Sequence, residues 1–237
     1  MIIRKHAWIL LCLALLACLI SGCGGGGGGS SPPAIEPSPD DYILSALNQG
    51  RVVRWTQPIG VFMDRVNVPA DWKQEHATFF QEAMTTWTNA SQGKLSFYFL
   101  ASATDPCITV KWVKDHPLGQ DPPTVGVSQL HISVVQGTQY IQRVDIELSV
   151  DAENGSPLSD SLMRLLSLHE LGHAIGIWGH SDNPNDIMFD TVGTQSGLST
   201  RDINTINRLY TLPPDVSELP RSVRGLVPEE TTTITMP

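Results

Sequence analysis

Residues 169–180 read His-Glu-Leu-Gly-His-Ala-Ile-Gly-Ile-Trp-Gly-His, a stretch rich in the residue types that bind and use a metal ion. His169 and His173 are four apart, so on a helix both imidazoles project from one face, a turn apart. Two neutral imidazoles so placed suit tetrahedral zinc, which takes nitrogen at about 2.0 to 2.1 Å. A third protein ligand and an exchangeable water then complete an open, catalytic arrangement. His180 is the obvious third ligand, with Asp182 as the alternative. Gly176 ends the helix where a left-handed residue is needed to turn the chain back past the metal. Glu170 sits one residue round the helix, within reach of a metal-bound water without ligating the metal. Zinc lowers the pKa of such a water from about 15.7 to about 7. Glu170 can therefore serve as base for attack on a peptide carbonyl, then return the proton to the leaving amine. A short His-Glu-x-x-His also arises by chance on ordinary helices, so its surroundings must carry the reading.

The elements that position these residues are legible in outline. Ser156 to Asp160 supplies helix-start chemistry for a helix to about Ile175, and Leu162, Leu165 and Leu166 extend its histidine-bearing face toward a sheet. Upstream, Val52 to Met63 reads as a strand with an irregular start at Pro58. Pro69 and Asp71 open a helix through about Asn89 whose apolar face includes His76, a packed core imidazole. Strands follow at Leu95–Leu100, Ile108–Val113, Val125–Val135 and Gln142–Val150, with a loop at Asp115–Pro123 and a turn at Gln136-Gly137-Thr138. After a loop from Gly176 to Gly197, Ser199-Thr200-Arg201-Asp202 forms a capping box for a last helix through Tyr210. The order predicts an α/β fold with helices packed on a sheet. Beyond Pro213 no apolar period is visible, so 213–237 reads as a flexible tail.

Met188 lies eight residues after His180, in Ile187-Met188-Phe189, and Asp202 stands in the last helix. The set resembles the metzincin zinc metallopeptidases and, within them, bacterial matrixin-like sequences. The resemblance implies a twisted, mixed five-stranded sheet with a backing helix, an active-site helix and a C-terminal helix. It implies one catalytic Zn2+ on His169, His173 and His180, Glu170 as the catalytic residue, and Met188 as the Met-turn beneath the metal. Asp202 then ties the last helix to the Met-turn backbone. Val125–Val135 becomes the edge strand that pairs with an extended polypeptide substrate, with Ser128, Gln129 and Leu130 near the cleft. Two departures stand out. The third histidine falls one residue later than the family pattern, where Gly179 is able to absorb a bulge, and Arg201 replaces an acidic residue. No Pro-Arg-Cys-Gly segment precedes the domain, and structural Ca2+ or a second Zn2+ is not supported. His116, Asp121 and His131 read as solvated loop and strand residues.

The composition fits an exported body. Among 237 residues, 41% are hydrophobic and 16% charged, and the formal charge is -9, an acidic balance that argues against nucleic acid. Arg4 and Lys5 precede an apolar run from Ala7 to Ile20, too short for a typical spanning helix. The run ends Leu19-Ile20-Ser21-Gly22-Cys23, which resembles the lipobox of bacterial lipoproteins. That resemblance implies a signal peptide over 1–22 and lipid on Cys23, with a Gly/Ser/Pro tether over 23–39 and a catalytic domain over 40–212. The protein is then expected at the cell envelope, held by its lipid at the outer membrane since Gly24 follows the cysteine, or released extracellularly. We expect a monomer. Cys107 is left as the one thiol, a small core residue, and no intramolecular disulfide can form. The leading reading is a zinc endopeptidase of extracellular or envelope polypeptides. Its rivals are a non-catalytic, zinc-containing binding lipoprotein of the same fold and a hydrolase of cell-wall cross-links. Glu170 speaks against the first, and the lack of a recognisable wall-binding module against the second.

Overall fold

A computed structural model describes residues 34–114, 124–152 and 154–236. Its helices are α1 (Ile43–Ala46), α2 (Gln74–Ala90), α3 (Asp160–Ala174) and α4 (Thr200–Leu209). Its strands are β1 (Ile59–Met63), β2 (Phe97–Phe99), β3 (Cys107–Val113), β4 (Gly126–Val135), β5 (Thr138–Ser149), β6 (Ser217–Glu218) and β7 (Glu230–Met236). Cys23, His116 and Asp121 lie outside the described residues, as do the expected signal and most of the expected tether.

The sheet runs β2-β1-β3-β5-β4-β7, with β6 pairing β5 off this path. The first five strands are those expected, parallel as far as β5, with β4 antiparallel to it across the Gln136-Gly137 turn. Both turn residues take positive φ, at 52° and 71°, which suits a tight hairpin. One face of the sheet is lined by Val61, Val110, Ile146, Leu148 and Leu130, all fully buried. Its partners include Phe80, Ala83, Met84 and Trp87 of α2, with Met163, Leu166 and Leu171 of α3. Thr109, Lys111, Gln129 and Glu147 alternate to the opposite, wetter face.

Two local expectations shift. Between Val52 and Met63 only Ile59–Met63 is strand; Val53 makes a single bridge to Val216, because Pro58 cannot donate to a ladder. Helix α2 starts at Gln74, since Pro69 accepts the Trp72 amide in a turn that uses up the start signal. His76 is 2% exposed, a core imidazole as expected.

The larger correction concerns 213–237, expected as a tail, and the domain limit at 212. The compact unit spans Ile35–Pro237. Ser217–Glu218 pairs with Tyr140 and Ile141, and Glu230–Met236 adds antiparallel to β4 from Ser128 to Val134. An edge strand needs backbone pairing more than an apolar period, and Glu-Thr-Thr-Thr-Ile-Thr-Met is rich in β-branched residues. Only Ile234 and Met236 of β7 are withdrawn from solvent. In consequence β4 is not the sheet edge.

Candidate metal centre

Helix α3 reaches the site fully buried: every residue from Leu166 to Ala174 is enclosed. Ser159 caps its start, accepting the Leu162 amide at 3.2 Å. Tryptophan indoles pin its far half. Trp87 Nε1 donates to the Leu168 carbonyl at 2.9 Å and Trp55 Nε1 to that of Ala174 at 2.8 Å. These bonds fix the backbone on either side of His169, Glu170 and His173.

Gly176 follows with φ of 123°, the left-handed region its place required, and its amide bonds the His173 carbonyl. The chain then packs on α1: the Trp178 amide donates to the Ala46 carbonyl, and Trp178 Nε1 to that of Val53. A Cβ on Gly179 would meet the Ser45 carbonyl oxygen at 2.1 Å. The extra residue before His180 is thus taken up by a close pass over α1 that only glycine permits.

His180 arrives beside the helix pair. The ligand-type atoms of His169, His173 and His180 lie within 4.8 Å of one another, and among the described residues they are the one such group of three. Asp182, the alternative third ligand, points elsewhere: it is exposed and paired with Arg201 at 2.9 Å. His131, weighed as a second-metal residue, bridges Asp145 at 2.8 Å and Thr233 at 3.0 Å.

The ring orientations test whether zinc fits. His169 Nδ1 lies 2.7 Å from the Ile187 carbonyl and His173 Nδ1 2.7 Å from that of Ile177, so both Nδ1 atoms carry hydrogen. Both Nε2 atoms are then bare lone pairs, and they face each other at 3.1 Å. Two lone pairs so close repel unless a cation lies between them. Nitrogens on a tetrahedral zinc at its usual bond lengths sit about 3.3 Å apart. The donor set and its spacing fit the ion. Burial, above all, holds the His169 imidazolium down to about 4 and His173 well below the ordinary imidazole value, so both rings are neutral, the form that could bind a metal ion.

Glu170 is 1% exposed. Desolvation pushes its carboxyl up to about 8, against the Ser128 hydroxyl, which donates to Oε2 at 2.7 Å. Gly126 gives the carboxylate its room, since a Cβ there would stand 2.4 Å from Oε1. Gly172 does the same for Met188, whose Sδ a Cβ would meet at 2.3 Å. The Met188 thioether therefore packs against α3 at Gly172. Asp202 is completely buried and accepts from the Ile187 and Ser199 amides at 2.8 and 2.7 Å, and from the Tyr42 hydroxyl at 2.5 Å. It joins α4, the Met188 turn and the segment before α1.

Tyr42, Gly126 and Gly172 escaped sequence reasoning. A glycine within an otherwise apolar helical run, and another opening a strand, were the available signals. Cys107 is a free, buried thiol pushed up to about 11 by desolvation, as its core placement implied.

No relative among curated proteins matches the chain. The family model of the matrixins matches residues 64–211, from the end of β1 to just past α4, and with it the histidine cluster. On that match and this geometry, the chain belongs to the matrixin family of metallopeptidases.

Proposed function

We propose that the protein is a zinc endopeptidase that cleaves extracellular or envelope polypeptides. The observation that carries this reading is the convergence of His169, His173 and His180 on one point beside the buried carboxylate of Glu170. His169, His173 and His180 hold the ion, Met188 packs beneath them, and Gly176 and Asp202 keep the returning chain in place. Zinc held there supplies Lewis-acid polarisation of the scissile carbonyl and acidifies water. Glu170 takes the proton of the attacking water at Oε1, the oxygen that Ser128 leaves free, and passes it to the departing amine. Ser128 keeps the carboxylate facing the cleft. We place the enzyme at the envelope as a single chain, exported and held by lipid on Cys23.

A non-catalytic binding protein of this fold would have no use for Glu170. Burying a carboxylate costs several kcal/mol before compensation, and a hydrophobic residue there would be more stable. Glu170→Gln keeps the shape and one hydrogen-bond acceptor but cannot take a proton. The expected outcome is unchanged zinc content with kcat reduced by roughly 10² to 10⁴ on an unfolded protein substrate. Removing zinc from the wild type with chelator abolishes cleavage, and added zinc restores it. Zinc-loaded wild type that leaves a broad peptide library intact would sink the proposal.

A further inference from the structure

The edge of β4 is where a peptide would lie beside Glu170, and the chain itself already fills it. Strand β7 pairs antiparallel with β4 over seven residues, Met236 facing Ser128 and Glu230 facing Val134. Ser128 is the residue whose hydroxyl binds the Glu170 carboxylate. Paired strands run about 5 Å apart, so the backbone at Met236 passes beside the catalytic end of β4. Directly opposed residues on antiparallel strands share a face. Met236 and Ile234 thus lie on the face of Ser128 and Leu130, toward α3 and the metal centre, and Met236 is 5% exposed. The polarity is also that of a substrate segment: β7 runs N to C toward Glu170, as the part of a peptide before the scissile bond must if the bond is to reach it.

The strand is weakly anchored for a member of a sheet. Glu230 to Thr233 and Thr235 are exposed, and Val227, in the segment that leads to β7, is 88% exposed. Beyond the ladder, β7 adds side-chain bonds from Thr233 to His131 and from Gln129 to Thr235. Backbone pairing with two inward side chains is how an extended peptide binds a sheet edge.

We propose that β7 is a built-in competitor, the chain's own C-terminal segment bound to β4 as a substrate segment would be. An incoming polypeptide must displace it. This rests on the peptidase reading, and it adds a substrate preference: an extended segment with apolar residues at the position facing Ser128 and two residues before it.

The test compares the full chain with one ending at Glu229, both zinc-loaded. Shortening should raise kcat/KM on an unfolded protein roughly tenfold through KM, since a tethered strand competes at an effective concentration in the millimolar range. The synthetic peptide Glu-Thr-Thr-Thr-Ile-Thr-Met-Pro should restore inhibition competitively. Full-length Ile234→Asp/Met236→Asp, which keeps the chain length, should be activated likewise. Binding of the labelled peptide to the shortened chain, followed by fluorescence anisotropy, is read without turnover. That measurement separates the two ideas: if both chains hold zinc and cleave nothing, the peptidase reading fails, while peptide binding still decides this one. Unchanged or lower activity of the shortened chain, or no peptide binding, overturns the proposal. So does loss of fold in both variants, which would make β7 a structural strand.

Discussion

The second half of α3 and strand β7 flank the same carboxylate and are built in opposite ways. Around α3 every constraint is doubled: indole bonds hold its backbone, carbonyls set both imidazole rings, and Asp202 gathers three donors behind the Met188 turn. Strand β7 has a ladder to one neighbour, two inward side chains and a mostly exposed surface. A catalytic centre gains from being over-determined, because small displacements of its groups cost rate. A segment that must leave and return gains from being under-determined, because its contacts set how much a substrate must overcome. The contrast predicts that substitutions of equal chemical size have very unequal consequences in the two places.

The largest effect on stability is expected at Asp202. Asp202→Ala leaves three donors without their acceptor, those of Tyr42 and Ile187 buried and that of Ser199 part-buried, and a buried one costs about 1 to 3 kcal/mol when orphaned. Relief by water or by rearrangement brings the loss to about 3 to 5 kcal/mol, read as a fall in the urea midpoint at unchanged slope. Gly172→Ala comes next. Helix propensity alone would favour alanine by up to about 1 kcal/mol, but its Cβ would press on Met188 Sδ and, at 3.1 Å, on Trp87. In a packed core such overfilling costs about 1 to 3 kcal/mol. We expect net destabilisation of about 1 kcal/mol, a Tm lower by about 2 to 4 °C, and weaker zinc retention. A more stable variant would show that the Met188 turn yields, and that this region is less constrained than its contacts imply.

How much of this was legible follows the chain distance of each contact. His169, Glu170 and His173 sit within five residues, so helical geometry alone set their common face. His180 required one step more, the recognition that Gly179 permits a bulge; the reason for it, the Ser45 carbonyl, lies over 130 residues upstream and leaves no local mark. The Ser128–Glu170 bond spans 42 residues and the Tyr42–Asp202 bond 160, so neither produces a pattern that periodicity could detect. Strands β1, β3, β4 and β5 announced themselves because each buries an apolar face. Strand β7 did not, since a strand added at an edge satisfies its backbone first and needs only Ile234 and Met236 inside.

The smallest effect is expected at Thr231, and its smallness is informative. Thr231 is exposed and faces Ser133 in the ladder between β7 and β4. Valine keeps the β-branched shape that suits a strand, so Thr231→Val should change global stability by less than about 0.5 kcal/mol, as exposed substitutions usually do. Thr231→Pro probes the same position through the backbone, because proline cannot donate and is tolerated in a sheet only where no ladder bond is needed. If β7 is separable from the core, Thr231→Pro should leave the urea midpoint within about 1 kcal/mol of the wild type while hydrogen exchange quickens along Ser128–Val134. A midpoint shift as large as that of Asp202→Ala would mean that β7 folds with the core as one unit. The two flanks of Glu170 would then differ in appearance and not in energy.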